Sequence, residues 1–366
     1  MIQYINSNKE FHWGDWYFKD HVMAPGFDYK AHKKELSSYY EQRGFKVSMM
    51  FDDYFSRVNG MHSDRYLSMD VYYFYVVPAL NRYDFIKPYL DKNIYTQLFP
   101  TIRQPVTVVK NMHGHFYRDG KEISRDQAVD IVSHYGTELM IKPTVETCNG
   151  DGVNQITDLD ADSLRSLFDR YVINFIVQEK AKQHPALQQV NPTSLNSMRL
   201  YTYRSLDGVC HFLYPYAVLR FGGKGAVKDN SSKGGGTCLI DPSGHVDDRV
   251  FRFKSLEISS LSRETGVEHL VIPCYGKVVD KLLELHQQLP YFDYVGWDVT
   301  VDPDGEPLFI EFNLVPGIEG PQLRTGPMFG EHLDEVVDRA RRVECSRVQT
   351  NMKVFDRNSH FYLHMR

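Results

Sequence analysis

The chain has 366 residues, too many for one ordinary core, and points to two or three lobes. Hydrophobic residues make up 42% and aromatic residues 13%, enough to bury a substantial interior. A formal net charge of −5 weighs against a general nucleic-acid or membrane-surface binder, which would carry a basic face. No apolar run approaches the ~18 residues of a spanning helix, and the polar start MIQYINSNKEFHWGD lacks the apolar segment of a signal peptide. A cytoplasmic location is expected. Five cysteines, Cys148, Cys210, Cys238, Cys274 and Cys345, are scattered without a C-x-x-C pair and read as free thiols in a reducing compartment.

Residues 1–90 are rich in Tyr, Phe, Lys and Asp, with helices expected from Tyr29 to Arg43 and around Tyr72 to Leu80. They carry no recognisable chemistry. From Asp91 to Met112 a helix, a Pro-marked turn and a short β-branched strand are expected, followed by a hairpin turn at Arg118-Asp119-Gly120. His113-Gly114-His115 has clamp-like spacing, but it stands in a loop with no nearby cysteine and reads better as surface or packing. A helix from Arg125 to Tyr135 leads into the strand ELMIKPT, the loop VETCNGDG and the strand VNQI. Residues 160–171 read as helix and NFIVQEK as strand. MRLYTYR, VCHFLYPYAVLRF and GTCLID read as further strands, and Cys274 to Gln288 as a long helix. Strand runs with flanking helices make the class α+β.

Lys142 closes the strand ELMIKP, facing a loop whose Gly150 and Gly152 let the backbone bend and present N–H groups to phosphate oxygens. No G-K-[ST] follows, so this is not a P-loop, and most such loops are plain hairpin turns. The strand through Gln178, Glu179, Lys180 and Ala181 either ends at the surface or passes between lobes, offering backbone groups and the Glu179 carboxylate to an amine-bearing base such as adenine. Arg199 and Arg220, flanked by apolar strand residues, require an anionic partner, either a protein carboxylate or a ligand phosphate. The stretch GGKGAVKDNSSKGGG, with six glycines and three lysines, suits either a lid over an anionic substrate or a solvated loop.

The strands VGWDVTV and PLFIEFN, joined by the turn DPDG, form an expected antiparallel hairpin. It aims Asp298, Glu311 and Asn313 at one small volume, with Glu311 and Asn313 two apart and on one face. The alternative is a set of polar positions on a half-exposed hairpin. Phe309, Ile310 and Phe312 surround Glu311 with apolar bulk, so its carboxylate needs a cation or several donors. Mg²⁺ suits this oxygen set, because it takes one or two protein carboxylates and fills its remaining positions with phosphates and waters. The Gly- and Pro-rich NLVPGIEGPQLRTG that follows reads as a loop wrapping a site.

The order Lys142-Pro143, a Gly-containing loop, Gln178-Glu179, Arg199, Arg220 with Asn230 and Gly234-Gly235, Asp298, then Glu311-x-Asn313 resembles the ATP-grasp enzymes. The segments DKN at Asp91 to Asn93, NPTSLNSMRLYT and VGWDVTVDPDGEPLFIEFN are similar to those of the sugar-transfer-associated ATP-grasp family, over roughly residues 75 to 335. The resemblance implies two α+β lobes gripping ATP, here divided as 91–190 and 191–345, with a mainly helical region at 1–90 and a tail at 346–366. It places Lys142 on the nucleotide phosphates with the Gly150–Gly152 loop and Asn230, and the Gln178–Ala181 strand at adenine. Asp298, Glu311 and Asn313 would hold one or two Mg²⁺, with Mn²⁺ as a substitute, while Arg199 and Arg220 neutralise the transferring phosphoryl group. One departure concerns the ribose: between Glu179 and Cys210 the only acidic residue is Asp207, so no ribose contact is assigned.

The activity implied is a carboxylate–amine ligase that forms an amide through an acylphosphate, with Arg324 as candidate for the substrate carboxylate or as a surface arginine. By analogy its small-molecule carboxylate and amine substrates belong to surface-polysaccharide or related amino-acid modification. A phosphotransferase on the same ATP site is the alternative, and a non-catalytic nucleotide-binding scaffold a third. No nucleic-acid partner or membrane span is expected, and nothing in the sequence specifies the oligomeric state.

Overall fold

The computed structural model describes residues 38–45, 55–56, 59–61, 63–68, 71–145, 152–214, 216–226, 234–252 and 258–342. Gly150, Asn230, Cys148, Cys345, the greater part of the helix expected from Tyr29 and the tail from 346 lie outside the described residues.

A π-helical turn, Tyr72–Val76, passes into α1 (Val77–Leu80), followed by α2 (Tyr83–Leu90). Their buried face is Tyr72, Val76, Val77, Leu80, Tyr83 and Ile86. The Asp91 carboxylate then caps a 3₁₀ turn, Lys92–Ile94, by accepting the Asn93 N–H at 3.0 Å, and α3 (Tyr95–Leu98) follows.

The first sheet contains β1 (Thr107–Met112), β2 (His115–Arg118), β3 (Lys121–Ile123), β4 (Leu139–Pro143), β5 (Asn154–Ile156) and β6 (Phe175–Glu179). Its strand order is β3-β2-β1-β6-β4-β5, with every pairing antiparallel. Two amphipathic helices, α4 (Arg125–Ser133) and α5 (Ala161–Tyr171), cover it with Val129, Val132, Leu164 and Phe168. His113, with φ 53°, forms the β1–β2 turn, and His115 bonds Glu122 at 2.8 Å, so this pair is a hairpin tip.

After α6 (Pro185–Gln188) the second sheet takes β7 (Ser197–Arg204), β8 (Cys210–Phe212), β9 (Val218–Phe221), β10 (Gly236–Leu239), β11 (Arg249–Phe251) and β12 (Ile258–Ser260). Past α7 (Leu261–Thr265) and α8 (Tyr275–Gln287) it closes with β13 (Tyr294–Val301) and β14 (Pro307–Asn313), and α9 (Glu319–Thr325) and α10 (Leu333–Arg341) follow. The order β12-β11-β10-β9-β7-β13-β14, with β8 also paired to β7, puts β13 in the interior, where all eight of its residues are buried.

Two elements depart from the expectation. The single strand expected over VCHFLYPYAVLRF is two, β8 and β9, which pair successive stretches of β7. The run contains Pro215, which has no N–H for the ladder. The Gly/Pro-rich segment after Asn313 contains α9, held by tertiary bonds that outweigh weak propensity: the buried Gln322 amide donates to Leu67 O at 3.0 Å and accepts from Leu67 N at 2.8 Å.

The α1–α2 helices share one core with the second sheet, whereas the first sheet has its own smaller core. The buried Asn81 amide pins this helical region by donating to Tyr294 O at 2.7 Å and Leu314 O at 2.6 Å. Among the described residues no helix is long and apolar enough to cross a membrane.

Candidate functional site

In an antiparallel sheet, residues directly opposite each other present side chains on one face. Arg199 on β7, Asp298 on β13 and Glu311 on β14 stand in one such row. Arg220 on β9 faces Ser197, two residues from Arg199, and so lies on the same face. A β-bulge sharpens this division. Asp298 pairs with Glu311 but the next residue, Val299, pairs with Phe309, leaving Ile310 as the extra residue. Phe309 and Phe312, three apart, can therefore both enter the core beside Trp297, at ring separations of 6.3 and 5.9 Å, while Glu311 turns to the polar face.

Asp298 is 2% exposed and meets both arginines. Arg199 grips it in a bidentate pair, Nε to Oδ1 and Nη2 to Oδ2, the latter at 2.8 Å. Arg220 Nη1 reaches the same two oxygens at 3.2 and 3.3 Å. Burial pushes the Asp298 carboxyl upward, but Arg199 and then Arg220 outweigh it and bring it down to about 2. The Arg199 guanidinium is pulled the other way: burial disfavours its charge and the Asp298 carboxylate more than restores it.

The opposing cations come from β4 of the first sheet and from the 3₁₀ turn docked beside it. The Lys92 N–H donates to Thr144 O at 3.0 Å, just beyond β4, and its ammonium lies 3.3 Å from Glu311 Oε2. Asn93 Nδ2 secures the same joint through Thr144 Oγ1 at 3.1 Å. Lys142, on β4, is lowered to about 8 by burial and then by the neighbouring Lys92, with Glu311 opposing. Lys92, Lys142 and Glu311 therefore share one electrostatic environment. Lys92 was not singled out from sequence as a site residue; the available signal was DKN, read only as a family segment.

The remaining candidates lie as follows. Gln178 donates to Pro105 O at 3.2 Å and Thr107 Oγ1 at 3.1 Å, and its buried Oε1 has no partner among the described residues. The Glu179 carboxylate accepts the Tyr135 hydroxyl at 2.9 Å. The N–H groups of Glu179 and Lys180 are committed to Val106 O and Glu138 O, at 2.9 and 2.8 Å. These two N–H groups are therefore already engaged within the first lobe. Gly152 takes φ +74°, and an added β carbon would sit 2.7 Å from Pro143 Cγ, so a glycine is required where the loop returns to β4. Arg324 is on α9, its guanidinium 5.4 Å from the Phe251 ring centroid.

Among the described residues no three His, Cys, Asp or Glu side chains converge. Asn313 lies on the Glu311 face opposite Gly296, and its buried amide Nδ2 has no partner among the described residues. An amide turned about its bond presents oxygen at that position, a hard ligand with nothing else to satisfy it. Glu311 and Asn313 fit Mg²⁺ directly. Asp298 fits with Arg220 drawn aside, because two guanidinium groups now cover both of its oxygens.

A family profile described as Sugar-transfer associated ATP-grasp matches residues 75–337. No curated protein matches the chain significantly. Among solved structures it is similar to an N5-carboxyaminoimidazole ribonucleotide synthetase bound to ADP, at 12% identity and TM-score 0.38 over 63% of this chain and 46% of that one. It is similar also to a D-alanine–D-alanine ligase from Bacillus anthracis, at 16% identity and TM-score 0.39 over 69% of each chain. The VanG D-Ala:D-Ser ligase from Enterococcus faecalis matches at 13% identity and TM-score 0.42, over 69% of this chain and 61% of that one. The chain thus spans less than two thirds of the synthetase and of the VanG ligase.

Proposed function

Because the chain belongs to the sugar-transfer associated ATP-grasp family, we propose that it is a cytoplasmic ATP- and Mg²⁺-dependent carboxylate–amine ligase. A substrate carboxylate attacks the γ-phosphate of ATP, and an amine then displaces phosphate from the acylphosphate to leave an amide. The observation that carries this reading is the meeting of Lys92 and Lys142 with the sheet face that bears Arg199, Arg220, Asp298 and Glu311. Phosphoryl transfer needs positioning and charge neutralisation more than a protein nucleophile, and this is a set of charges built for neutralisation.

Lys142 and Lys92 would bind nucleotide phosphates, with the Gly150–Gly152 loop and Asn230 as further contacts. Arg199, held in place by Asp298, and Arg220 would face the transferring phosphoryl group. Glu311 and Asn313, joined by Asp298, would hold Mg²⁺ or Mn²⁺, which when bound neutralises phosphate oxygens. Gln178, Glu179, Lys180 and Ala181 would line adenine, and Arg324 would bind a substrate carboxylate. The substrates are assigned to uronic acids, amino sugars and amino acids of surface-polysaccharide or specialised metabolite biosynthesis.

The test is ADP and phosphate release from Mg²⁺–ATP over a panel of carboxylates, each with and without pooled amino acids and amino sugars, followed by product mass. Amine-dependent release with an adduct one water lighter than the summed substrates establishes the ligase. ADP with a phosphorylated acceptor that persists without amine replaces it with a phosphotransferase.

A further inference from the structure

The chain passes from one core to the other and back around Lys92. α2 before it and α3 after it belong to the core of the second sheet: Tyr83 and Ile86 are buried there, and the Tyr95 ring lies 5.3 and 5.4 Å from those of Phe309 and Phe312. The 3₁₀ turn between them is bonded instead to the first sheet, and Asn93 is the hub of that attachment. It is 1% exposed, and its amide donates to Asn111 O of β1 at 3.3 Å and to Thr144 Oγ1, just beyond β4, at 3.1 Å. Its own backbone carbonyl accepts the Lys110 ammonium, which also reaches Thr96 Oγ1 at 3.3 Å. Lys110 and Lys142 both stand opposite Ile176 of β6. They lie on the open face of the first sheet, because Val109, Ile141, Phe175 and Val177 fill the core under α4 and α5 on the other.

Two anchors therefore act on Lys92. The Glu311 carboxylate of the second sheet draws its ammonium, while Asn93 holds its backbone to the sheet that carries Lys142. A phosphate that takes the ammonium from Glu311 leaves the backbone anchor untouched. Two cations already held at a fixed spacing bind a polyphosphate without first ordering a mobile turn, and affinity gains by that much.

Resting on the reading of Lys92 and Lys142 as phosphate ligands, we propose that Asn93 is a positioning residue, whose buried amide fixes Lys92 in register with Lys142 so that both ammonium groups meet the phosphates of one nucleotide. Asn93 itself touches no phosphate. It acts by bridging β1 and the end of β4, which takes two donors on one group, as an amide has.

The experiment is a double-mutant cycle on the full chain, with Mg²⁺–ADP as ligand and calorimetric titration as readout. Lys92→Ala alone should weaken Kd about tenfold. Asn93→Ala alone should weaken it about fivefold, but less than about twofold in the Lys92→Ala background, because the side chain it positions is gone. A role confined to folding would weaken Kd by the same factor in both backgrounds; that result, or an unchanged Kd for Asn93→Ala, overturns the assignment. An unchanged Kd for Lys92→Ala, or a wild type that does not bind Mg²⁺–ADP, overturns the phosphate reading and this assignment with it. If Asn93→Ala shows no cooperative thermal transition, Thr144 carries the test. Thr144→Val removes the acceptor hydroxyl at nearly constant volume and should weaken Kd only where Lys92 is present, whereas Thr144→Ser keeps the hydroxyl and should stay within about twofold of wild type. Equal losses in the two Thr144 variants, or a Thr144→Val loss that persists without Lys92, overturn it.

Discussion

Lys142 offers a direct test of the proposed phosphate site, because burial and the adjacent Lys92 bring its ammonium down to about 8. A lysine that titrates there is charged at neutral pH and would lose a hold on phosphate as pH rises. Above pH 8 the protonated fraction falls about tenfold per pH unit, so the Kd for ADP should double near pH 8 and be about tenfold weaker at pH 9, a loss of roughly 1.4 kcal/mol. Fluorescence titration with a labelled ADP between about pH 7 and pH 9 would read this curve. Lys142→Arg keeps its charge throughout and should flatten it. The linkage to folding has the opposite sign. In the unfolded chain the lysine keeps its proton to about 10.5, so between about pH 8 and pH 10.5 the unfolded state binds more protons and the ligand-free protein gains stability as pH rises. A wild-type Kd that is constant across this range, or a Lys142→Arg protein that still weakens above pH 8, would refute the reasoning.

Asp298→Asn should cost about 3 kcal/mol in urea denaturation, because it leaves two partly buried guanidinium groups without their counter-charge; an unchanged midpoint would show that Arg199 and Arg220 find other anions. Gly296→Ala places a β carbon 2.7 Å from Pro316 Cβ, and the overpacking should cost about 1 to 3 kcal/mol in the same denaturation assay; an unchanged midpoint would show that the loop at Pro316 yields. Ser124→Ala removes the capping box in which Ser124 Oγ accepts Gln127 N–H at 3.1 Å; a loss of about 1 kcal/mol with unchanged nucleotide affinity is expected, and lost affinity would show that α4 bears on the site.

Periodicity and turn residues were sufficient to locate most of the elements. Runs of β-branched, aromatic and other apolar residues marked β1, β4, β6, β7, β13 and β14, and the alternation within PLFIEFN placed Glu311 and Asn313 on one face, because a strand's side-chain period is a local property. Local sequence could also say that Arg199 and Arg220, set among apolar residues, needed an anion. It could not say which one, since Asp298 lies 99 and 78 residues away and meets them only when β13 enters between β7 and β14. The same holds for Lys92, on a 3₁₀ turn far along the chain from Glu311, and for the Gly/Pro-rich segment after Asn313, which reads as loop until Leu67 holds Gln322 of α9 in place. The extra residue Ile310, which sends Phe309 and Phe312 to the core and Glu311 to the polar face, is also invisible locally, because a bulge is defined only by the strand paired against it. Residue type and spacing thus determined which side chains carry charge and which strands bear them; burial, pairing register and long-range ion pairs decided which charges meet.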